Sequence, residues 1–201
     1  MKKITIYKII LIILILIALV LITMVVKKSV ASHQVETVAQ TVIEKVESQL
    51  VLKSNSMEKT DVVKEIDEQI EGYDVVGIIK IPKIDVNYPI LEETNKESLK
   101  LSITKFWGDK INQIGSVVLA GHNNLNNKMF GRIDKLENGD VIELTDNQLV
   151  TVKYQVFDKY VTDPNDISCI LPVEDGKREV TLITCTDGNK NRLIIKAREN
   201  V

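Results

Sequence analysis

Cysteine and histidine are the side chains best suited to nucleophilic and proton-transfer work near neutral pH, and the chain of 201 residues holds two of each. Cys185 closes the β-type run Val180-Thr181-Leu182-Ile183-Thr184, and six turn-forming residues, Thr186-Asp187-Gly188-Asn189-Lys190-Asn191, separate it from Arg192 and a second β-type run. If the two runs pair as a hairpin, Cys185 and Arg192 stand near each other where the strands leave the turn. A permanent cation beside a thiol has two uses. It can favour the thiolate, or it can donate hydrogen bonds to the oxyanion of a tetrahedral intermediate in acyl transfer.

A thiol nucleophile also needs a group that accepts a proton and later returns it to a leaving amine, and imidazole titrates in the right range. His33 falls in a segment expected to be an exposed helix near a membrane. His122 follows the apolar run Ser116-Val117-Val118-Leu119-Ala120 and Gly121, and leads into the polar loop Asn123-Asn124-Leu125-Asn126-Asn127. A histidine at a strand end beside a loop is placed as site residues often are. By elimination His122 is the acid or base. The bland reading of a lone cysteine is a small buried apolar residue. That reading suits Cys169, in Ile167-Ser168-Cys169-Ile170-Leu171-Pro172, and a disulfide from it to Cys185 would inactivate the site. Asn123 and Asn124 read as loop formers bordering the site, and Phe106 and Trp107 as core or rim packing.

Holding these residues together requires a scaffold, and β-branched runs punctuated by Pro, Gly, Asn and Asp predict strands at 75–81, 86–90, 116–120, 140–144, 149–161, 179–185 and 192–198. Short helices are expected at 96–103 and 128–136. Most connections are brief, which favours antiparallel neighbours, and about seven strands with little helix predict a mainly β, closed or nearly closed antiparallel barrel. Upstream, residues 1–8 form a short tail expected in the cytoplasm, and 9–26 are an uninterrupted apolar run. That run is near the roughly 20 residues that cross a bilayer as a helix. It is bounded by Lys8 on one side and by Lys27 and Lys28 on the other, and it exceeds a cleaved signal's apolar core, so a retained single-pass anchor is expected. The lysine bias puts the N-terminus inside and everything after Val26 outside. Residues 27–71, without Pro or Gly, predict a helical stalk, and Gly72 opens a domain at 72–201.

The charge balance, 26 basic against 28 acidic residues, argues against nucleic acid as a partner. Two cysteines are too few for a disulfide-stapled scaffold or a cysteine zinc site.

Leu119-Ala120-Gly121-His122, Thr181-Leu182-Ile183-Thr184-Cys185 and the downstream Arg192 resemble the signatures of the sortases. The order His, Cys, Arg agrees, as do Ile81-Pro82-Lys83-Ile84, Tyr88-Pro89-Ile90 and Met129-Phe130-Gly131-Arg132, so the resemblance covers about 75–197. It implies an eight-stranded sortase-like β-barrel, hence one more short strand near 101–106. It implies that Cys185 is the nucleophile, His122 the general acid and base, and Arg192 the residue that holds the oxyanion and substrate backbone. The implied partners are secreted proteins with a C-terminal sorting signal of the LPxTG kind, a peptidoglycan amine as acceptor, and the lipid membrane through 9–26. The chemistry conserves peptide-bond energy in a thioester and needs no ATP or metal. Some sortases use calcium, for which Glu92, Glu93, Asp140 and Glu174 are the acidic residues to consider; they lack a recognisable loop spacing, and no cofactor is assigned.

The compact domain resembles class D sortases, whereas Tyr73-Asp74-Val75-Val76-Gly77 and the long N-terminal helical segment are also seen in class B. Two rivals remain in view: another extracytoplasmic cysteine peptidase or transpeptidase acting on the cell wall, and a non-catalytic anchored binding module. L,D-transpeptidases place glycine just before the cysteine and arginine close after it, unlike Thr184-Cys185 and Arg192.

Overall fold

A computed structural model describes residues 2–55, 66–124, 127–171 and 176–199. Helix α1 (Lys2–Asn55) contributes to two compact units, Met1–Val38 and Ala39–Val201. In the first unit every side chain from 11 to 26 is exposed, and all but Thr23 are apolar. The side chains of Ile9 and Ile10 lie outside the described residues. Among the described residues no helix is long and apolar enough to cross a membrane.

Among the described residues the second unit is built on nine strands: β1 (Gln69–Ile70), β2 (Tyr73–Ile81), β3 (Val86–Leu91), β4 (Ile103–Gly108), β5 (Gly115–Ala120), β6 (Val141–Asp146), β7 (Thr151–Thr162), β8 (Arg178–Thr186) and β9 (Asn191–Glu199). They follow the order β1-β2-β3-β4-β5-β8-β9-β7-β6, and β2 also pairs with β6. That last pairing closes strands β2 to β9 into an eight-stranded barrel, with β1 a two-residue addition to β2. Gly77 sits at the seam, where a Cβ would stand 2.5 Å from the Thr145 carbonyl oxygen, so only glycine allows β6 to come this close. The strand expected near 101–106 is β4.

The expectation of a wholly antiparallel barrel is corrected at two places, because β3 pairs with β4 and β5 with β8 in parallel. Parallel neighbours need crossovers. The first runs through α2 (Ser98–Leu101), and the second is filled by the β6-β7 hairpin on the far side of the barrel. The helix expected at 96–103 shrinks to α2 because Ile103 is drawn into β4 beside Ile90. The helix expected at 128–136 is a single 3-10 turn, Ile133–Lys135. Asn127 and Met129 have left-handed φ of 63° and 50°, and the Phe130 N–H is bound to the His122 carbonyl, which no helix there could accommodate.

Alternation along the strands sends Ile79, Ile81, Val117, Leu119, Leu182 and Ile195 into one core within the barrel. A second apolar cluster joins Val42, Ile43 and Val46 of α1 to Ile70, Ile78 and Leu149. Strand β2 is therefore covered on both faces, which explains its near-continuous apolar run. The segment read from sequence as a stalk is thus helical as far as Asn55, and from Ala39 it belongs to the barrel's compact unit; residues 56–65 lie outside the described residues.

Candidate active site

Register decides which side chains meet. Strands β8 and β9 pair so that Cys185 lies directly opposite Arg192, and β9 pairs with β7 so that Arg192 lies opposite Thr162. Directly opposed residues share a sheet face with Cβ atoms about 5 Å apart, which puts the Cys185 and Arg192 side chains on one face at the end of the hairpin. The turn between them, Asp187-Gly188-Asn189, is left-handed throughout, with φ of 52°, 62° and 73°. Arg192 Nη1 donates to the carbonyls of Asn189 (3.3 Å) and Asn191 (3.1 Å). The turn thus holds one edge of the guanidinium.

On the other side of β8, the parallel ladder with β5 ends at the pair Ala120 and Ile183. Continuing each strand by two residues gives His122 and Cys185. The approach is tight, since a Cβ on Gly121 would stand 2.7 Å from the Phe130 ring, and Phe130 is itself buried. The buried Thr184 hydroxyl donates to the Gly121 carbonyl at 2.7 Å, and the Gly121 N–H donates to Ile183 at 3.2 Å. The Thr184 of the Thr-Leu-Ile-Thr-Cys run therefore fastens the histidine's strand to the cysteine's strand.

Cys185, His122 and Arg192 all line one cleft of about 350 Å³. Its walls are mainly apolar: Leu99, Phe106, Ala120, Ile183 and Ile194, with Ile167 and Ile170 from the β7-β8 connection. Phe106 is half-exposed at the rim, as the sequence suggested, and Trp107 is also partly exposed. Thr94, Leu99 and Asp166 carry no sequence motif; they reach the cleft through the β3-β4 crossover and the β7-β8 connection. Cys169 lines the same cleft but is buried, and that burial, with the Asp166 carboxylate, pushes its thiol up from the ordinary value. A thiol so placed is a poor nucleophile at neutral pH. His33 lies in α1, its side chain outside those described.

The acidic residues considered for calcium are dispersed in their bonding. Glu92 pairs with Lys105 at 2.5 Å and Asp140 with Lys83 at 2.8 Å, while Glu174 lies outside the described residues. Among the described residues no group of three His, Cys, Asp or Glu side chains converges on a metal-sized point.

A thiol, an imidazole and a guanidinium gathered at one cleft of a closed barrel equip a cysteine acyl-transfer enzyme. Comparison with known proteins then fixes the family. The sortase domain profile matches residues 79–200. Sortase A of Listeria monocytogenes is 36% identical over 112 residues, 55% of this chain and 49% of that protein. The chain therefore spans about half the length of this relative. A Clostridium perfringens sortase D5 transpeptidase structure superposes with a TM-score of 0.62 at 26% identity, covering 82% of this chain and 99% of that one. A sortase C of the same species, solved with the C-terminal cell wall sorting motif, superposes at 0.57 with 27% identity over 80% of this chain and 88% of that one. The chain belongs to the sortase family of cysteine transpeptidases.

Proposed function

We propose that this chain is a membrane-anchored sortase that cuts an LPxTG-like C-terminal sorting motif and transfers the protein to a cell-wall peptidoglycan amine. The observation that carries the reading is the convergence of Cys185, His122 and Arg192, in the family's order, on one mainly apolar cleft. Cys185 Sγ attacks the threonine carbonyl carbon of the motif; the S–C bond forms as the carbonyl electrons move to oxygen. The Nε and Nη2 donors of Arg192, which make no hydrogen bond among the described residues, are the ones to hold that oxyanion. His122 delivers a proton to the departing amine as the C–N bond breaks, leaving a thioester on Cys185. An incoming amine gives a proton to His122 as it attacks the thioester carbon, and the C–S bond breaks to release the Cys185 thiolate beside the protonated imidazole, the pair from which the first attack began. The related sortase C solved with a sorting motif supports a peptide of this kind as substrate.

The exposed apolar surface of 11–26 supports the anchor, and the lysines that flank it, with three before the run and two directly after, support a cytoplasmic N-terminus and an extracellular barrel. Tethering puts enzyme, translocated substrate and lipid-linked acceptor in one membrane plane and raises their effective concentration.

The test is direct. A fragment beginning at Ala39 is incubated with quenched LPxTG-type and NPxTN-type peptides, with and without hydroxylamine. Cleavage stimulated by hydroxylamine and absent in Cys185→Ala is the expected result. No cleavage across the panel would overturn the reading.

A further inference from the structure

The main-chain ladder between β5 and β8 stops at Ala120 and Ile183, two residues short of the pair on which proton transfer depends. Beyond it three hydrogen bonds continue the connection. The Gly121 N–H donates to the Ile183 carbonyl at 3.2 Å, Thr184 Oγ1 donates to the Gly121 carbonyl at 2.7 Å, and Asn123 Nδ2 donates to the Cys185 carbonyl at 2.8 Å. The first two lie on the N-terminal side of His122. The third starts from the residue that follows His122 and ends on the backbone of Cys185 itself. His122 is held by its own carbonyl as well, which accepts from the Phe130 N–H at 3.1 Å, and Asn123 forms an isolated bridge with Met129.

We infer that Asn123 is a positioning residue: its amide N–H acts as a side-chain rung that extends the β5-β8 ladder across the reacting pair and sets the separation of imidazole and thiol. The inference rests on the acid and base role proposed for His122. A rung is needed at this point because His122 has left the sheet and heads a loop, so no further backbone pairing can hold it against Cys185. Asparagine suits the place, since a donor is required opposite a carbonyl and a neutral amide offers one without altering the charge around the thiol. Asn123 is exposed, so filling space is not its use. Proton transfer is steep in distance, and a displacement of about 1 Å can cost a hundredfold in rate.

The experiment uses the full chain and the variants Asn123→Ala, Asn123→Asp, Asn123→Gln and His122→Ala. Two quantities are read: kcat and KM for peptide transfer, and the pH profile of Cys185 alkylation, followed on the Cys185 peptide by mass spectrometry. The carboxylate of Asn123→Asp keeps the volume and loses the donor. Asn123→Ala loses the donor without adding charge and Asn123→Asp loses it while adding one, so both are expected to show kcat down by roughly tenfold with KM held within about twofold. Both alkylation profiles should move toward that of His122→Ala, with the melting temperature unchanged within about 2 °C. Asn123→Gln, which keeps the amide, should recover part of the loss.

An Asn123→Asp enzyme with wild-type kcat and alkylation profile would overturn the rung. So would an equal loss in all three position-123 variants accompanied by a fall in melting temperature. A His122→Ala profile identical to wild type would instead sink the acid and base reading on which the rung depends.

Discussion

Arginine at position 192 presents a planar fork with several donors, and one edge of it is occupied by the carbonyls of Asn189 and Asn191. A lysine there would keep the charge and lose the fork, so it cannot satisfy its own turn and an oxyanion together. Arg192→Lys is therefore expected to lower kcat by about a hundredfold with little change in KM, measured on the cleaved peptide. Much of the site was legible at this scale. The six turn residues after Cys185 announced the hairpin that pairs it with Arg192, and with one other histidine in the chain, His122 was reached by elimination. Asn123 was legible only as a loop former, because its hydrogen bond to Cys185 joins residues 62 apart in sequence. Nothing in local pattern encodes such a contact.

Strands carry these residues to one another, and Gly121 shows how little space the arrangement leaves. Gly121→Ala would drive a Cβ to 2.7 Å from the buried Phe130 ring, immediately beside His122. Overpacking of this kind costs about 1–3 kcal/mol, and the shift that relieves it must move the ring or the histidine's backbone. The expected outcome is a lowered melting temperature together with a loss of kcat, measured on the same preparation.

A second element-scale effect concerns the 3-10 turn Pro82–Ile84, which Lys83 ties to the start of β6 through Asp140. Burial alone would raise the Asp140 carboxyl, but the Lys83 ammonium and the Glu137 N–H outweigh it and hold it below the usual carboxylate range. Lys83 is raised in turn, chiefly by its hydrogen bond to Asp140. A carboxyl depressed in the folded state adds stability above its unfolded value, and that contribution is lost as pH falls through the folded value. Asp140→Asn should therefore lower the melting temperature near pH 7, and the difference should shrink as the pH falls below about 4.

Strand positions were readable from β-branched runs and their punctuation. The hairpin of β8 and β9 was readable too, but the parallel pairings of β3 with β4 and β5 with β8 were not, because they depend on crossovers whose paths the local pattern does not record.

For the whole molecule, the compact unit that holds the barrel begins at Ala39, upstream of the glycine that opens the strand-rich sequence. Gly72 is a true change of texture, yet Val42, Ile43 and Val46 are buried against the outer face of β2 and its neighbours. Helical periodicity in this stretch was visible, but whether an apolar stripe faces a partner chain, a lipid or its own barrel is decided by tertiary contacts alone. Ile43→Ala is expected to destabilise the unit by about 2–4 kcal/mol in denaturant unfolding, as a core truncation would. A surface stalk would show almost no change.

The register of the barrel also orders events in time. The thiol's neighbours come from β5, which ends 65 residues before it, and from β9, which follows it. A polypeptide emerging N-terminus first has its histidine early, its cysteine late and its arginine last, and β8 has no partner on one side until β9 follows. No partly emerged chain can therefore assemble the reacting group. Assembly of the site therefore waits on β9, the strand that brings Arg192 opposite Cys185.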